Sequence, residues 1–428
     1  MRHAMKIVVI GGGSTYTPEL IDGLIARAGT LPLREVWLVD PNPERLRVVG
    51  GFAERMVRHA GAPFRVLLSP ERRPALDGAD VVITQFRVGG QAARHGDELL
   101  GRRHNLVGQE TTGVGGFAKA LRTVPVALEI AREMRELAPD AWLVNFTNPA
   151  GIVTEALARH GGVKAIGLCN NAINTQRRIA QRFQLAPERV AIEQVGLNHL
   201  NWVRGITIDG ADATEAVLRD YIEHLRHAEE PIHFPPALVQ ALGAIPSLYL
   251  EYFYLESQVL ARQASGVPTR AEVVMDVEER LIERYSDPHL CEKPPELMER
   301  GGAYYSEAAA ALIESLWTGD GAVHVVNTRN SGAIPNLDAD VVVETPCRVT
   351  QAGAEPLPVA ALAPQMHGLT SAVKAYELLT VQAAISGNEE AAMLALLANP
   401  LGPDAAHVEE VWADLKRSNA GMLAQFNS

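Results

Sequence analysis

The run Lys6-Ile7-Val8-Val9-Ile10, followed by Gly11-Gly12-Gly13 and then Ser14-Thr15-Tyr16-Thr17-Pro18-Glu19, decides the reading of the fold. The first five residues, apolar and largely β-branched after the lysine, have the composition of a buried strand. Three glycines end it and supply a turn. Thr17 suits a helix cap, Pro18 sits where a first helical residue has no use for its N–H, and Glu19 complements the helix dipole. The order is strand, glycine turn, helix. Such a turn aims backbone N–H groups and a helix N-terminus at one point, which suits a pyrophosphate. A plain glycine-rich turn without a ligand is the alternative.

Working outward, a second apolar strand, Val36 to Val39, ends at Asp40. A carboxylate there accepts the ribose hydroxyls of a dinucleotide and disfavours a 2′-phosphate, so NAD is expected rather than NADP. Gly11, Gly12, Gly13, Ser14, Thr15 and Asp40 form the expected cofactor set, with Tyr16 standing where the dinucleotide fingerprint has its third glycine.

Helical spacing covers Pro43 to about His59, and Val81 to Gln85 is a strand running out to Phe86 and Arg87. Lys119 to about Leu137 is helical with a kink or restart at Pro125, Trp142 to Asn145 is a strand, and Val163 to Leu168 is another, ending at Cys169. Strand alternating with helix is the pattern of a parallel sheet with helices on both faces. In such sheets ligands lie beyond the carboxyl ends of the strands, where Gly11, Asp40, Arg87, Asn148 and Cys169 all fall.

After Val195 the rhythm changes to short strands and longer helices, near Leu238, over Glu278 to Tyr285 and over Ser306 to Leu316. Ser371 to Ser386 and Glu389 to Ala398 read as a helical hairpin turned at Gly387 with Asn388 as cap. The expected fold is α/β: an N-terminal Rossmann-like doubly wound sheet, residues 1–195, that binds NAD. A C-terminal α+β domain, residues 196–428, is expected to serve substrate, metal and oligomerisation.

A chain of 428 residues, 47% hydrophobic and 21% charged, has the composition of a globular protein with two domains. No apolar run near the N-terminus approaches a membrane span, and no leader pattern precedes the first strand, so a cytoplasmic protein is expected. Three cysteines give no disulfide framework and are expected as reduced thiols. The net charge of −12, without a long basic run, argues against broad nucleic-acid binding.

Cys169 and His199 would form a divalent metal site with open positions if their strand ends meet; a buried inert thiol and a structural histidine are the plainer readings. Arg87 and Arg94, with Asp97 and Glu98 behind them, read as an anion clamp or as a solvated charged face. Gly108 to Phe117, G-Q-E-T-T-G-V-G-G-F, reads as a loop that lets backbone approach a ligand. Tyr249, in S-L-Y-L-E-Y-F-Y, is a proton acceptor or part of an aromatic core patch.

Taken together, several of these stretches carry a resemblance over nearly the whole chain. They are V-I-G-G-G-S-T-Y-T-P-E-L from Val9, F-R-V-G-G from Phe86 with Arg94 and Asp97-Glu98, G-Q-E-T-T-G-V-G-G-F, N-F-T-N-P-A-G from Asn145, L-C-N from Leu168 and G-L-N-H-L-N-W from Gly196. R-G-G-A-Y-Y-S from Arg300 and N-S-G-A-I-P-N-L from Asn330 complete the set. The sequence resembles the NAD- and metal-dependent glycoside hydrolases of family four. Its Cys169-Asn170 pair resembles the 6-phospho-β-glucosidase subgroup.

The resemblance implies hydrolysis of 6-phospho-β-glucosides by transient oxidation at C3, metal-assisted removal of the C2 proton, elimination of the aglycone and addition of water. It implies Cys169 and His199 as ligands of a divalent metal, Mn, Tyr249 as the base, and Asn148 and Asn170 on sugar hydroxyls. Arg94 would contact substrate, with the Arg87 region near its phosphate. A homodimer or homotetramer is implied, with a phosphosugar substrate and no nucleic-acid or membrane partner. Rival readings are a family-four enzyme for 6-phospho-α-glucosides, galactosides or glycuronides, a plain NAD-dependent 2-hydroxy acid dehydrogenase, and a non-catalytic NAD sensor.

Overall fold

The computed structural model describes residues 4–230, 232–300 and 304–426, so the middle of the R-G-G-A-Y-Y-S segment lies outside the described residues. Six strands form a parallel sheet: β1 (Met5–Ile10), β2 (Leu33–Val39), β3 (Arg65–Ser69), β4 (Val81–Thr84), β5 (Trp142–Asn145) and β6 (Lys164–Gly167). They lie in the order β3-β2-β1-β4-β5-β6. That order places the reversal of winding between β1 and β4, the position where doubly wound sheets open a crevice for nucleotides. The central strands are apolar throughout because helices cover both faces; Ile7, Val8, Val9, Val82 and Ile83 are fully buried. β3 carries no sequence signal of comparable strength, since an edge strand of five residues has little apolar pattern to show.

The sheet does not stop at β6. β7 (Val190–Leu197) and β8 (Leu200–Ile208) form an antiparallel hairpin, flanked by the two-residue strands β9 (Ala211–Asp212) and β10 (Ile245–Pro246). β11 (Val323–Arg329) pairs antiparallel with both β6 and β12 (Val342–Thr350), β13 (Gly353–Pro356) adds to β12, and β12 reaches β7 through Glu344 and Gly196. One mixed sheet therefore runs through both halves of the chain.

The helix Thr17–Ala26 begins at Thr17, with Tyr16 as its cap residue. The Thr17 hydroxyl does not cap the helix; it donates to the Gly12 carbonyl at 2.9 Å, tying the helix back onto the turn. The helix Gly113–Leu137 starts six residues earlier than expected and runs without interruption past Pro125. Gly113 to Phe117 are thus the first turn of a helix rather than loop. Their glycines are needed for close packing: a Cβ on Gly115 would meet the Gln109 carbonyl at 2.3 Å and that of Asp97 at 2.8 Å. The helical hairpin is longer than its expected first arm, Pro364–Ser386, and turns at Gly387 (φ 68°) into Glu389–Ala398, with the Asn388 side chain accepting from the Ala391 N–H at 2.7 Å.

Candidate active site

A cleft of about 2370 Å³ runs along the carboxyl edge of the sheet. Gly11, Gly13, Ser14 and Asp40 line one end; Arg87, Arg94, Asn148, Asn170 and Tyr249 line the rest. At the glycine turn, Gly13 donates to Asp40 Oδ2 at 3.1 Å, and a Cβ on Gly13 would meet the Asp40 carboxyl carbon at 2.8 Å. The N–H groups of Gly11 and Gly12 both go to the Val39 carbonyl, and that of Ser14 goes to Gly11. Most turn donors are therefore spent shaping the turn. The cationic groups beside it are side chains: Arg45 Nε donates to the Gly13 carbonyl at 3.2 Å, and Arg300 Nε to Thr15 Oγ1 at 2.7 Å. Both arginines share the Glu278 carboxylate, at 3.1 Å each.

In the middle of the cleft, Glu110 is held by three cations. Arg87 pairs with it, Arg94 Nη2 lies 3.1 Å from Oε1, and Lys119 Nζ lies 2.6 Å from Oε2. Burial opposes the charge on Glu110, but the Arg87 and Lys119 charges outweigh it and hold the carboxyl well below its usual range. Arg94 is braced from behind by Glu98 at 2.9 Å. Asp97 does not face the cleft arginines: it forms a buried two-point pair with Arg122, at 2.8 and 2.7 Å. Arg270 lines the same wall, and burial together with the charges of Arg94 and Arg300 lowers its affinity for its proton. Guanidinium groups crowded in this way mark a place for an anion.

Beside Tyr249 and Asn170 of the cleft lining, the turn of the β7–β8 hairpin brings His199 to the strand end that carries Cys169. Cys169 Sγ lies 3.7 Å from His199 Nε2. A sulfur and a nitrogen bound to one ion at about 2.3 and 2.1 Å, and meeting near the tetrahedral angle, are about 3.6 Å apart, so the pair fits a shared metal. Burial pushes the imidazole down to about 3, leaving it neutral and able to ligate. Burial, reinforced by the Glu344 charge, pushes the thiol up to about 12. Among the described residues no group of three or more His, Cys, Asp or Glu side chains is placed to hold a metal, so further ligands would have to be amide, substrate or water oxygens. Tyr249 stacks on the His199 ring at 3.7 Å and 11° between planes, and burial raises its hydroxyl above the usual tyrosine range. Asn170, one residue after Cys169, immediately precedes the helix Asn171–Arg182.

Sequence reading overlooked Glu110, Lys119, Arg270, Arg300 and Glu344. Glu110 stood in the quoted G-Q-E-T-T stretch, where its neighbours drew the reading towards a loop. Lys119 was visible only as the start of a helical pattern, Arg300 headed the quoted R-G-G-A-Y-Y-S stretch without being given a role, and Arg270 comes from a segment with no local motif.

Fold and site together define a Rossmann-like scaffold whose carboxyl edge carries a glycine turn, a cluster of arginines and a sulfur–imidazole pair. The family 4 glycosyl hydrolase model matches residues 6–185, and that family's C-terminal domain matches residues 194–402. The chain belongs to glycosyl hydrolase family 4. It is 42% identical, over 100% of its length and 99% of the other's, to a protein of Bacillus subtilis (strain 168) described as "Probable 6-phospho-beta-glucosidase". The structure of the Thermotoga maritima 6-phospho-beta glucosidase with manganese, NAD+ and glucose-6-phosphate superimposes with a TM-score of 0.90, at 37% identity and covering 97% of this chain and 98% of that one. Malate dehydrogenase of Cryptosporidium parvum, at 15% identity and a TM-score of 0.54, covers 91% of this chain and 100% of that one and shares the fold alone.

Proposed function

We propose that this protein hydrolyses 6-phospho-β-glucosides, with NAD and a divalent metal, Mn, as cofactors. The observation that carries the reading is one of place. Tyr249, which stacks on the His199 ring, and Asn170, which lies beside the Cys169 sulfur, line the same cleft as Asn148, Gly11, Gly13 and Asp40. When bound there, NAD+ supplies an acceptor for the C3 hydride that is later returned, and the metal draws electron density from the sugar oxygens.

The chain's own groups do the rest. Tyr249, as the phenolate that the Arg94 charge and a cation held beside His199 would favour against burial, would take the C2 proton; the electron pair left on C2 expels the aglycone from C1, and water then adds there. Cys169 and His199 hold the metal, Asn148 and Asn170 hold sugar hydroxyls, and Arg94 contacts substrate. Arg87 and Arg270 add the positive charge that a phosphate needs. Gly11 to Thr15 and Asp40 hold the dinucleotide.

In this reading residues 1–195 bind NAD, and residues 196–428 complete the substrate and metal site and carry subunit contacts in a homodimer or homotetramer. A cytoplasmic setting suits the three free cysteines, Cys169, Cys291 and Cys347. Among the described residues no helix is long and apolar enough to cross a membrane.

The test is release of nitrophenol from 4-nitrophenyl 6-phospho-β-glucoside, beside its α-anomer and both unphosphorylated sugars. Turnover of the phosphorylated β-substrate alone is expected, dependent on NAD+, Mn²⁺ and reductant, with no net NADH at steady state. Hydrolysis by protein freed of both NAD and metal would refute the mechanism. Net NADH production would favour the dehydrogenase reading.

A further inference from the structure

Behind the Cys169–His199 pair lies a carboxylate that no step above uses. Glu344, on β12, is 2% exposed and receives four side-chain N–H donors. Gln194 and Asn201 donate to Oε1 at 2.8 and 2.7 Å; Asn198 and Asn327 donate to Oε2 at 2.9 and 3.0 Å. Burial raises the affinity of Glu344 for its proton and the amides oppose that rise, and four donors converging on two oxygens are the arrangement that an ionised carboxylate satisfies. A protonated one would set its own hydroxyl against an amide N–H.

Three of those amides belong to the β7–β8 hairpin, whose turn carries His199. His199 has φ 62°, a conformation uncommon outside glycine, and it is fixed on one side by Asn198 and on the other by Asn201. The network continues outward. Asn171, two residues after Cys169, donates from its side-chain amide to Asn201 Oδ1 at 3.3 Å and to Ser247 Oγ at 3.0 Å. The Ser247 backbone N–H donates to the Asn201 carbonyl at 3.0 Å, two residues before Tyr249. The Asn198 side chain also acts on the Cys169 thiol, in the direction that favours its anion. Hydrogen bonds rooted on one buried carboxylate thus reach the three separate chain segments that carry Cys169, His199 and Tyr249.

The charge matters as well as the geometry. Cys169 is the one anionic ligand in the pair, so a divalent cation there keeps an excess positive charge in a dry surrounding, where that excess is costly. The Glu344 carboxylate acts electrostatically on Cys169 and supplies the second negative charge without ligating.

We propose that Glu344 is the positioning residue and counter-charge of the cation site, fixing the His199 turn through Asn198 and Asn201 and Tyr249's segment through Asn201, Asn171 and Ser247. This rests on Cys169 and His199 being metal ligands. The test titrates metal-free full-length protein with Mn²⁺ alone, reading free Mn²⁺ by electron paramagnetic resonance, with NAD+ binding and thermal unfolding followed in parallel. Parent, Cys169→Ser, Glu344→Gln and Asn201→Ala are compared.

Glu344→Gln keeps the shape but removes the charge and opposes a donor to the amides. Its dissociation constant for Mn²⁺ is expected to rise about 10- to 100-fold, in the range typical of lost outer-shell partners, with NAD+ binding unchanged. Asn201→Ala is expected to shift it in the same direction by less. If Glu344→Gln gives no folded protein, Asn201→Ala decides. Unchanged Mn²⁺ affinity in the folded variants overturns the role of Glu344, as does a parallel loss of Mn²⁺ and NAD+ binding. A parent that takes up no Mn²⁺, or a Cys169→Ser variant that binds as well as the parent, overturns the metal reading and this role with it.

Discussion

Lys119 carries the least favourable charge in the cleft. It is 3% exposed, and burial together with the Arg87 charge pushes its ammonium down to about 7, although Glu110 opposes the shift and Arg94 adds to it. Its positive charge is therefore present below pH 7 and lost as pH rises through that value. If the cleft needs that charge to hold an anionic substrate, kcat/KM falls above pH 7, and Lys119→Arg moves the fall to higher pH. A pH profile unchanged by Lys119→Arg would remove Lys119 from that role. Stability runs the other way. Between pH 7 and about 10.4 the unfolded chain keeps a proton that the folded chain has released, so stability rises with pH across this window. Urea midpoints should rise more from pH 7 to 9 in the parent than in Lys119→Met.

Tyr249 admits a cleaner cut. Tyr249→Phe keeps the ring stacked on His199 and removes only the proton acceptor, so Mn²⁺ uptake should persist while kcat falls by roughly 10²- to 10⁴-fold. Exchange of the C2 proton with solvent, read from deuterated substrate by NMR, should vanish with it. Cys169 and His199 were legible in the sequence because each follows an apolar strand. Lys119 was not, because a lysine in a helical pattern looks the same whether it faces water or Glu110.

At the scale of elements, the strands of the first half were readable because a sheet covered on both faces demands unbroken apolar runs, as in Lys6 to Ile10 and Val81 to Thr84. The segment around Gly113 was misread for an equally physical reason. Gly115 and Gly116 look like loop formers, yet they start a helix because the Gln109 carbonyl and the Thr111 backbone press against them. That packing sets the loop holding Glu110. Gly115→Ala forces a Cβ to within 2.3 Å of the Gln109 oxygen, and overpacking of this kind costs about 1–3 kcal/mol. The expected outcome is a lower melting temperature and a raised KM, since the Glu110 loop must shift to relieve the clash. A lower melting temperature with unaltered KM would show that the loop does not position Glu110. The same helix is fastened to its neighbour by Asp97 and Arg122, 2% exposed each, and Asp97→Ala would leave a buried guanidinium unpaired at about 3–5 kcal/mol.

Across the whole molecule, the change of rhythm after Val195 was legible, but the continuity beneath it was not. The pairing of β6 with β11 and of β12 with β7 joins residues far apart in the chain, and sequence periodicity carries no information about such partners. Other links cross the same divide. The helix Tyr305–Thr318 packs on Thr17–Ala26, where Ser306 Oγ donates to Glu19 Oε1 at 2.8 Å. On the other face the buried Lys374 lies 2.9 Å from Glu155. Neither half can open without exposing a sheet edge and stranding these buried charges, so the two should unfold together. Helix content by far-UV circular dichroism and the fluorescence of Trp37, Trp142, Trp202, Trp317 and Trp412 should then share one urea midpoint. NAD+ should move both signals together, because a ligand held by one half stabilises whatever unfolds with it, by about 2.7 kcal/mol at 100 times its dissociation constant. Two separate midpoints, with NAD+ shifting only one, would mean that the shared sheet does not couple the halves, and the cofactor turn and the Cys169–His199 pair would then be held in register by the cleft contents alone.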